Sequence, residues 1–271
     1  MTDRANRWLA RRLAPLVAGA LLALAVQAVQ GAAAPTVKSP QVRNPMRVLI
    51  VGNSYQYYGD SLHNHLRRIV AAAEPAAEQW LQYKSATIGG AALDHHPIDW
   101  LTTPGRIGVK EPFELVILQG GSGEPLSATR LAKFRETVLA FDRVIRARGG
   151  RTALYMTHVY VPPHPAVNAS NMRLTEEAYV SVGNEIGALV IPVGLAFEEA
   201  YRRHPTFVLH KSDGTHPSLI GTYLAACTAY ASVYGKSPVG NPYDYEGAID
   251  KATARALQQV AHDVVAAFYK R

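Results

Sequence analysis

The chain has 271 residues, 48% of them apolar, with a formal net charge of +7 and a single cysteine. That length supports one large α/β domain with a core of its own, and a lone thiol excludes a disulfide framework. No block of five or six basic residues stands with interleaved aromatics, which excludes a nucleic-acid groove and leaves the surplus charge as solvated surface.

Arg4, Arg7, Arg11 and Arg12 open the chain, an uncharged stretch from Leu16 to Val29 follows, and the small residues Gly31, Ala32, Ala33 and Ala34 come next. A basic start, an apolar centre and a small-residue end describe a secretory leader over 1–34. The apolar run is short for a bilayer and lacks a basic flank behind it, so the reading is cleavage near Ala34 with no stable membrane insertion afterwards, an uncleaved anchor being the alternative. The product is then periplasmic or secreted, and the pair Arg11-Arg12 leaves a general and a twin-arginine export route both open. Because residues 1–34 hold four Arg and one Asp, the net charge without them is +4.

Residues 35–45 contain three prolines and no periodicity, which predicts an extended linker ahead of a folded domain over 46–271. The run Arg47-Val-Leu-Ile-Val-Gly52 reads as a buried parallel strand. A helix is expected from about residue 60, with Leu62, Leu66, Ile69 and Val70 inward. Strands over 80–88, 114–119, 152–156 and 189–193 then alternate with helices over 128–148, 172–186 and 195–203, and two helices over 218–234 and 247–269 close the chain. Alternation of this kind predicts a three-layer α/β/α domain around a mostly parallel, five-stranded sheet. Cys227 falls on an apolar helical face beside Leu224 and Tyr230, as a small buried residue.

Ligands of such a sheet bind at the carboxyl ends of the strands. The residues there are Asn53-Ser54, Gly89-Gly90, the stretch from Gln119 to Ser122, and Thr157-His158. Ser54 stands one step beyond the first strand, in a turn whose N–H dipoles favour developing negative charge. Lys211-Ser-Asp-Gly-Thr-His-Pro217 sets Asp213 three residues before His216, a spacing that lets the carboxylate accept from Nδ1 while Nε2 takes the serine proton.

In these residues the chain resembles the SGNH (GDSL-like) hydrolases, a superfamily of esterases, lipases and carbohydrate deacetylases, and the resemblance implies their flavodoxin-like α/β/α fold. Gly52-Asn53-Ser54 is similar to the family's first block and Asp213-Gly-Thr-His216 to its last. The resemblance implies Ser54 as nucleophile, His216 as base and Asp213 as orienting acid, with no cofactor. It also implies an oxyanion hole built from the N–H groups of Ser54 and Gly90, Gly89 being the neighbouring alternative. The family's third block ordinarily supplies an asparagine. Here Gln119-Gly-Gly-Ser122 stands instead, so Gln119 is the candidate third donor, with Gly121 and Ser122 beside it. Asn53, Gly89, Gly121, Ser122 and His158 are candidate pocket residues.

Ser122 is also a rival nucleophile, because Gly120-Gly-Ser-Gly123 nearly completes the elbow of α/β-hydrolases, although Glu124 occupies its fifth position. His63 and His65 point apart on a helix and His95-His96 reads as a polar loop, so no metal site is expected. No Gly-x-Gly-x-x-Gly or Gly-Lys-Ser/Thr loop supports a nucleotide binder. The expected partner is a small-molecule or glycan ester. The competing expectation is a catalytically weak or inactive module of the same fold that recognises an envelope glycan.

Overall fold

The computed structural model describes residues 33–270. The expected leader therefore lies outside the described residues except for Ala33 and Ala34. Five parallel strands form the centre: β1 (Arg47–Gly52), β2 (Gln82–Thr87), β3 (Leu115–Leu118), β4 (Arg151–Tyr155) and β5 (Leu189–Ile191), in the order β2-β1-β3-β4-β5. Among the described residues eight helices surround them: α1 (Ser54–Tyr57), α2 (Leu62–Ala73), α3 (Ile98–Thr102), α4 (Ala128–Ala147), α5 (Asn171–Ile186), α6 (Val193–Arg203), α7 (Leu219–Tyr234) and α8 (Lys251–Tyr269).

Because side chains alternate along a strand, β1 feeds both layers. Val48 and Ile50 pack with α2, α6, α7 and α8, while Leu49 and Val51 pack with α3, α4 and α5. Helix α7 is buried from Gly221 to Tyr234, Cys227 included, and its run of Ala, Leu, Tyr and Val residues is apolar around the whole cylinder. It is held by α2 and α8 on its flanks, so whatever is fixed to its N-terminus is fixed to the core.

Several boundaries differ from the expected ones. Trp80 belongs to a 3₁₀ turn (Pro75–Trp80) and is exposed, so β2 starts at Gln82. The closing helix starts four residues late, because Tyr245, Glu246 and Gly247 have positive φ and Asp250 caps the helix by accepting from the Thr253 N–H. Helices α1 and α3 were too short to show a periodic pattern. Among the described residues no helix is long and apolar enough to cross a membrane.

The strand order makes β1 the switch point: the chain passes from β1 to β2 on one side, then crosses back over β1 to β3 on the other. A crevice opens there beyond the carboxyl ends of the strands. Ser54 is the first residue of α1, directly past β1, at that crevice.

Candidate active site

Asn53 builds the turn that carries Ser54. Its side chain accepts from the Tyr55 N–H at 3.1 Å as the cap of α1 and donates to Ala91 O at 3.0 Å, tying the serine turn to the loop after β2. Ser54 is 7% exposed, and its hydroxyl donates to His216 Nε2 at 2.9 Å. His216 Nδ1 donates to Asp213 Oδ2 at 2.7 Å. These two bonds form one directed chain from hydroxyl through imidazole to carboxylate.

Local backbone fixes that chain. Asp213 Oδ1 accepts from the N–H groups of Thr215 and His216, and Lys211 N–H donates to His216 O. Gly214 between them has φ +69, and a Cβ there would lie 2.2 Å from Val161 O, so both conformation and space require glycine. Ser218 caps α7 by accepting from Gly221 N–H, which anchors the loop to the buried helix. Burial raises the Asp213 carboxyl, but the bonds it accepts from His216 Nδ1 and from the Thr215 and His216 N–H groups outweigh this and hold it well below the usual carboxylate range. Tyr58 packs its ring 4.3 Å from that of His216, and Lys211 Nζ lies 4.7 Å over Tyr58.

A cleft of about 850 Å³ opens over Ser54. Asn53, Gly89, Gly90, Gly121 and Ser122 border it. Among the described residues the N–H groups of Ser54 and Gly90 have no hydrogen-bond acceptor. Gly90 has φ +70, a conformation glycine adopts readily, and lines the cleft just after β2. Two unpaired N–H groups beside a nucleophile suit an oxyanion.

The expected third oxyanion donor and one expected pocket residue lie elsewhere. Gln119 does not border the cleft. It is 1% exposed and fully engaged: Oε1 accepts from Asn53 N–H at 3.1 Å, while Nε2 donates to Asn53 Oδ1 at 3.0 Å and to Gly120 O. Its amide holds the serine turn from beneath. His158 is likewise buried at 1%, behind Tyr55 and away from the cleft. Ser122 shares a bond of 2.8 Å with the Tyr160 hydroxyl and has no imidazole partner, so the chain from serine to carboxylate exists at Ser54 and not at Ser122. His63 bonds Ser61, and His65 bonds Gly59 O and the Tyr243 hydroxyl. Among the described residues no group of three ligating side chains is placed to hold a metal. A groove of similar size, about 800 Å³, runs between α5, α6 and α8, and none of the residues around Ser54 borders it.

Sequence reasoning did not single out Glu124 as a functional residue. It is 6% exposed, borders the cleft and accepts from Gly121 N–H at 2.6 Å, so this N–H is taken where the family's asparagine would stand. Burial, with a smaller contribution from Asp94, pushes its carboxyl up to about 7, against the opposing pull of Gly121, Leu93 and Arg130. An acid raised on folding keeps its proton in the folded chain after the unfolded chain has released it. Stability attributable to Glu124 is therefore present at low pH and is lost as pH rises from the ordinary carboxyl value toward about 7. Melting temperatures followed from about pH 4 to about pH 8 should show this decline in the wild type and a smaller one in Glu124→Gln; equal slopes would remove Glu124 as its source.

No protein-family model and no curated protein matches the sequence. Solved structures do resemble it. A DUF4886 family protein from Bacteroides uniformis is 20% identical, with a TM-score of 0.59 over 81% of this chain and 94% of its own. A candidate SGNH hydrolase from Slackia heliotrinireducens is 23% identical, with a TM-score of 0.55 over 70% of this chain and 99% of its own. An acetyl xylan esterase from Geobacillus stearothermophilus is 15% identical, with a TM-score of 0.51 over 73% of this chain and 97% of its own. The arrangement of strands, helices and crevice in this chain is thus the fold of the SGNH hydrolases.

Proposed function

We propose that this protein is an exported serine esterase that hydrolyses carboxylic esters through an acyl-Ser54 intermediate. The observation that carries the reading is the unbroken chain Ser54 Oγ, His216, Asp213 at 2.9 and 2.7 Å, with its hydroxyl at a cleft. In the first half-reaction His216 Nε2 takes the Ser54 proton as Oγ attacks the carbonyl carbon, and the N–H groups of Ser54 and Gly90 receive the oxyanion. His216 then gives that proton to the departing alcohol. Water, deprotonated by the same imidazole, releases the acid and regenerates Ser54. Asp213 stays ionised and holds the Nδ1–H tautomer.

The cleft supports a polar, ring-bearing alcohol. Tyr57 and Tyr58 stack on one side, Tyr160 and His164 stack 3.9 Å apart on another, and Tyr57 is 40% exposed. Flat aromatic faces among hydroxyl and amide groups suit a sugar better than an acyl chain. An O-acetylated glycan or a short-chain ester of the cell envelope or its surroundings is the substrate class we favour, in keeping with the leader-like start and a periplasmic or secreted site of action. One of the fold's solved relatives is an acetyl xylan esterase.

The second reading, a binding module with little turnover, draws on the engaged Gln119 amide and Gly121 N–H, which leave two backbone donors for the oxyanion. A panel of p-nitrophenyl esters and acetylated sugars, run beside labelling by a fluorophosphonate, separates the two. We expect release of acetate from at least one acetylated sugar and labelling at Ser54; an unlabelled protein that still binds glycan would establish the module.

A further inference from the structure

His158 follows β4 and is buried between two rings. Tyr55 lies 4.1 Å from it at 12° and Phe197 4.4 Å at 9°, while His210 meets it edge-on at 4.9 Å. Its Nε2 donates to Thr215 O at 2.9 Å, because a carbonyl can only accept. Thr215 is the residue before His216, and its side chain bonds the Tyr55 hydroxyl at 2.7 Å. Tyr55 in turn follows Ser54 directly. The segment bearing the base and the helix bearing the nucleophile are therefore joined behind the cleft by one unit of Tyr55, His158 and Thr215.

We infer that His158 is a positioning residue for the proposed esterase, holding the Thr215-His216 segment so that His216 Nε2 stays in line with Ser54 Oγ. The inference rests on the serine-hydrolase reading above. The chemistry of the site explains why an imidazole stands here. A donor is needed at the Thr215 carbonyl, and a flat ring is needed between Tyr55 and Phe197. Neutral histidine supplies both, whereas an aliphatic side chain supplies neither. Nδ1 has no partner among the described residues, so protonating it would leave a charged N–H without an acceptor in a buried site. Burial first, then the nearby imidazoles of His210 and His216, hold His158 well below the ordinary histidine value, against the opposing bond to Thr215. His210 supports the same loop in neutral form, accepting from the Tyr201 hydroxyl and donating to Val159 O. Burial pushes its own value down to about 4.

The test compares His158→Leu with His158→Gln, whose amide can reach the Thr215 carbonyl although it lacks the ring. A misplaced base slows the chemical step more than it weakens binding. His158→Leu should therefore lose about ten- to a hundredfold in kcat with KM within about twofold, and His158→Gln should recover most of that loss. The downfield proton resonance of the His216–Asp213 hydrogen bond gives a readout that needs no turnover: it should broaden or shift in His158→Leu and persist in His158→Gln. Tyr55→Phe, which removes only the hydroxyl bonded to Thr215, should lower kcat in the same sense and serves if the leucine variant does not fold. An unshifted resonance with kcat within twofold of wild type in His158→Leu overturns the inference, as does a glutamine variant no better than leucine. A wild type that neither turns over esters nor labels at Ser54 would instead defeat the esterase reading, and the resonance would still decide whether His158 positions His216.

Discussion

Ser54→Ala is expected to lower kcat/KM by about ten-thousandfold or more while leaving the protein folded, because the attacking atom is lost and the remaining chain of imidazole and carboxylate has nothing to activate. The variant keeps the backbone N–H of Ser54, the Asn53 cap of α1 and every contact of His216 except one hydrogen bond. Losing that bond at a cleft should change stability by about 1 kcal/mol or less. Thermal melting and steady-state kinetics on the same preparation check both halves. Ser122→Ala is the control: its hydroxyl bonds Tyr160 and no base, so turnover should stay near wild type. Full activity in Ser54→Ala with loss in Ser122→Ala would move the nucleophile to the other serine and sink the mechanism.

The parts of the fold that could be read ahead were those whose burial imposes a pattern. Val48 to Val51, Leu115 to Leu118 and Leu189 to Ile191 are buried on both faces, so each appears as a short apolar run of the kind a covered parallel strand produces. Gly52-Asn53-Ser54 and Asp213-Gly-Thr-His216 were legible because their geometry is local: three residues fix the imidazole against the carboxylate through backbone N–H groups of the same loop. Two of the choices that escaped depend on partners distant in sequence. Whether Gln119 turns its amide to the cleft or to Asn53 is decided across 66 residues, and His158 meets Thr215 across 57. Nothing in Val116-Ile-Leu-Gln119 or Thr157-His158 announces either choice. Glu124 was visible only as the residue that spoils a Gly-x-Ser-x-Gly elbow, and its burial beside Gly121 follows from the turn that Glu124 N–H closes on Gly121 O. Nothing in the sequence singled out Tyr55, which by burial is a core aromatic at 3% exposure; its hydroxyl alone marks it as part of the site.

Gln119→Ala should lower stability and turnover together, which distinguishes the observed role of this residue from that of an oxyanion donor. The side chain is buried and makes a two-way amide pair with Asn53, accepting from its N–H and donating to its Oδ1. Alanine would orphan the Asn53 N–H and leave a void beneath the serine turn, where a Cβ on Gly52 would already lie 2.5 Å from Gln119 Oε1. An unsatisfied buried donor and a partly collapsed cavity together predict a loss of about 2 to 4 kcal/mol. Asn53 would keep its bonds to Tyr55 N–H and Ala91 O, so α1 should form. Its register, however, would loosen, and with it the direction of the Ser54 N–H and hydroxyl. Misplacement of about 1 Å there predicts a kcat loss of about a hundredfold. Gln119→Glu is the sharper companion, because a carboxylate can still accept from Asn53 N–H but sets oxygen against oxygen at Asn53 Oδ1, so it should restore volume without restoring the pair. Denaturant melts and kcat for the two variants decide the matter. A large fall in kcat with unchanged stability in Gln119→Ala would mean that the amide leaves Asn53 during the reaction and reaches the oxyanion, and the serine turn would then need another support.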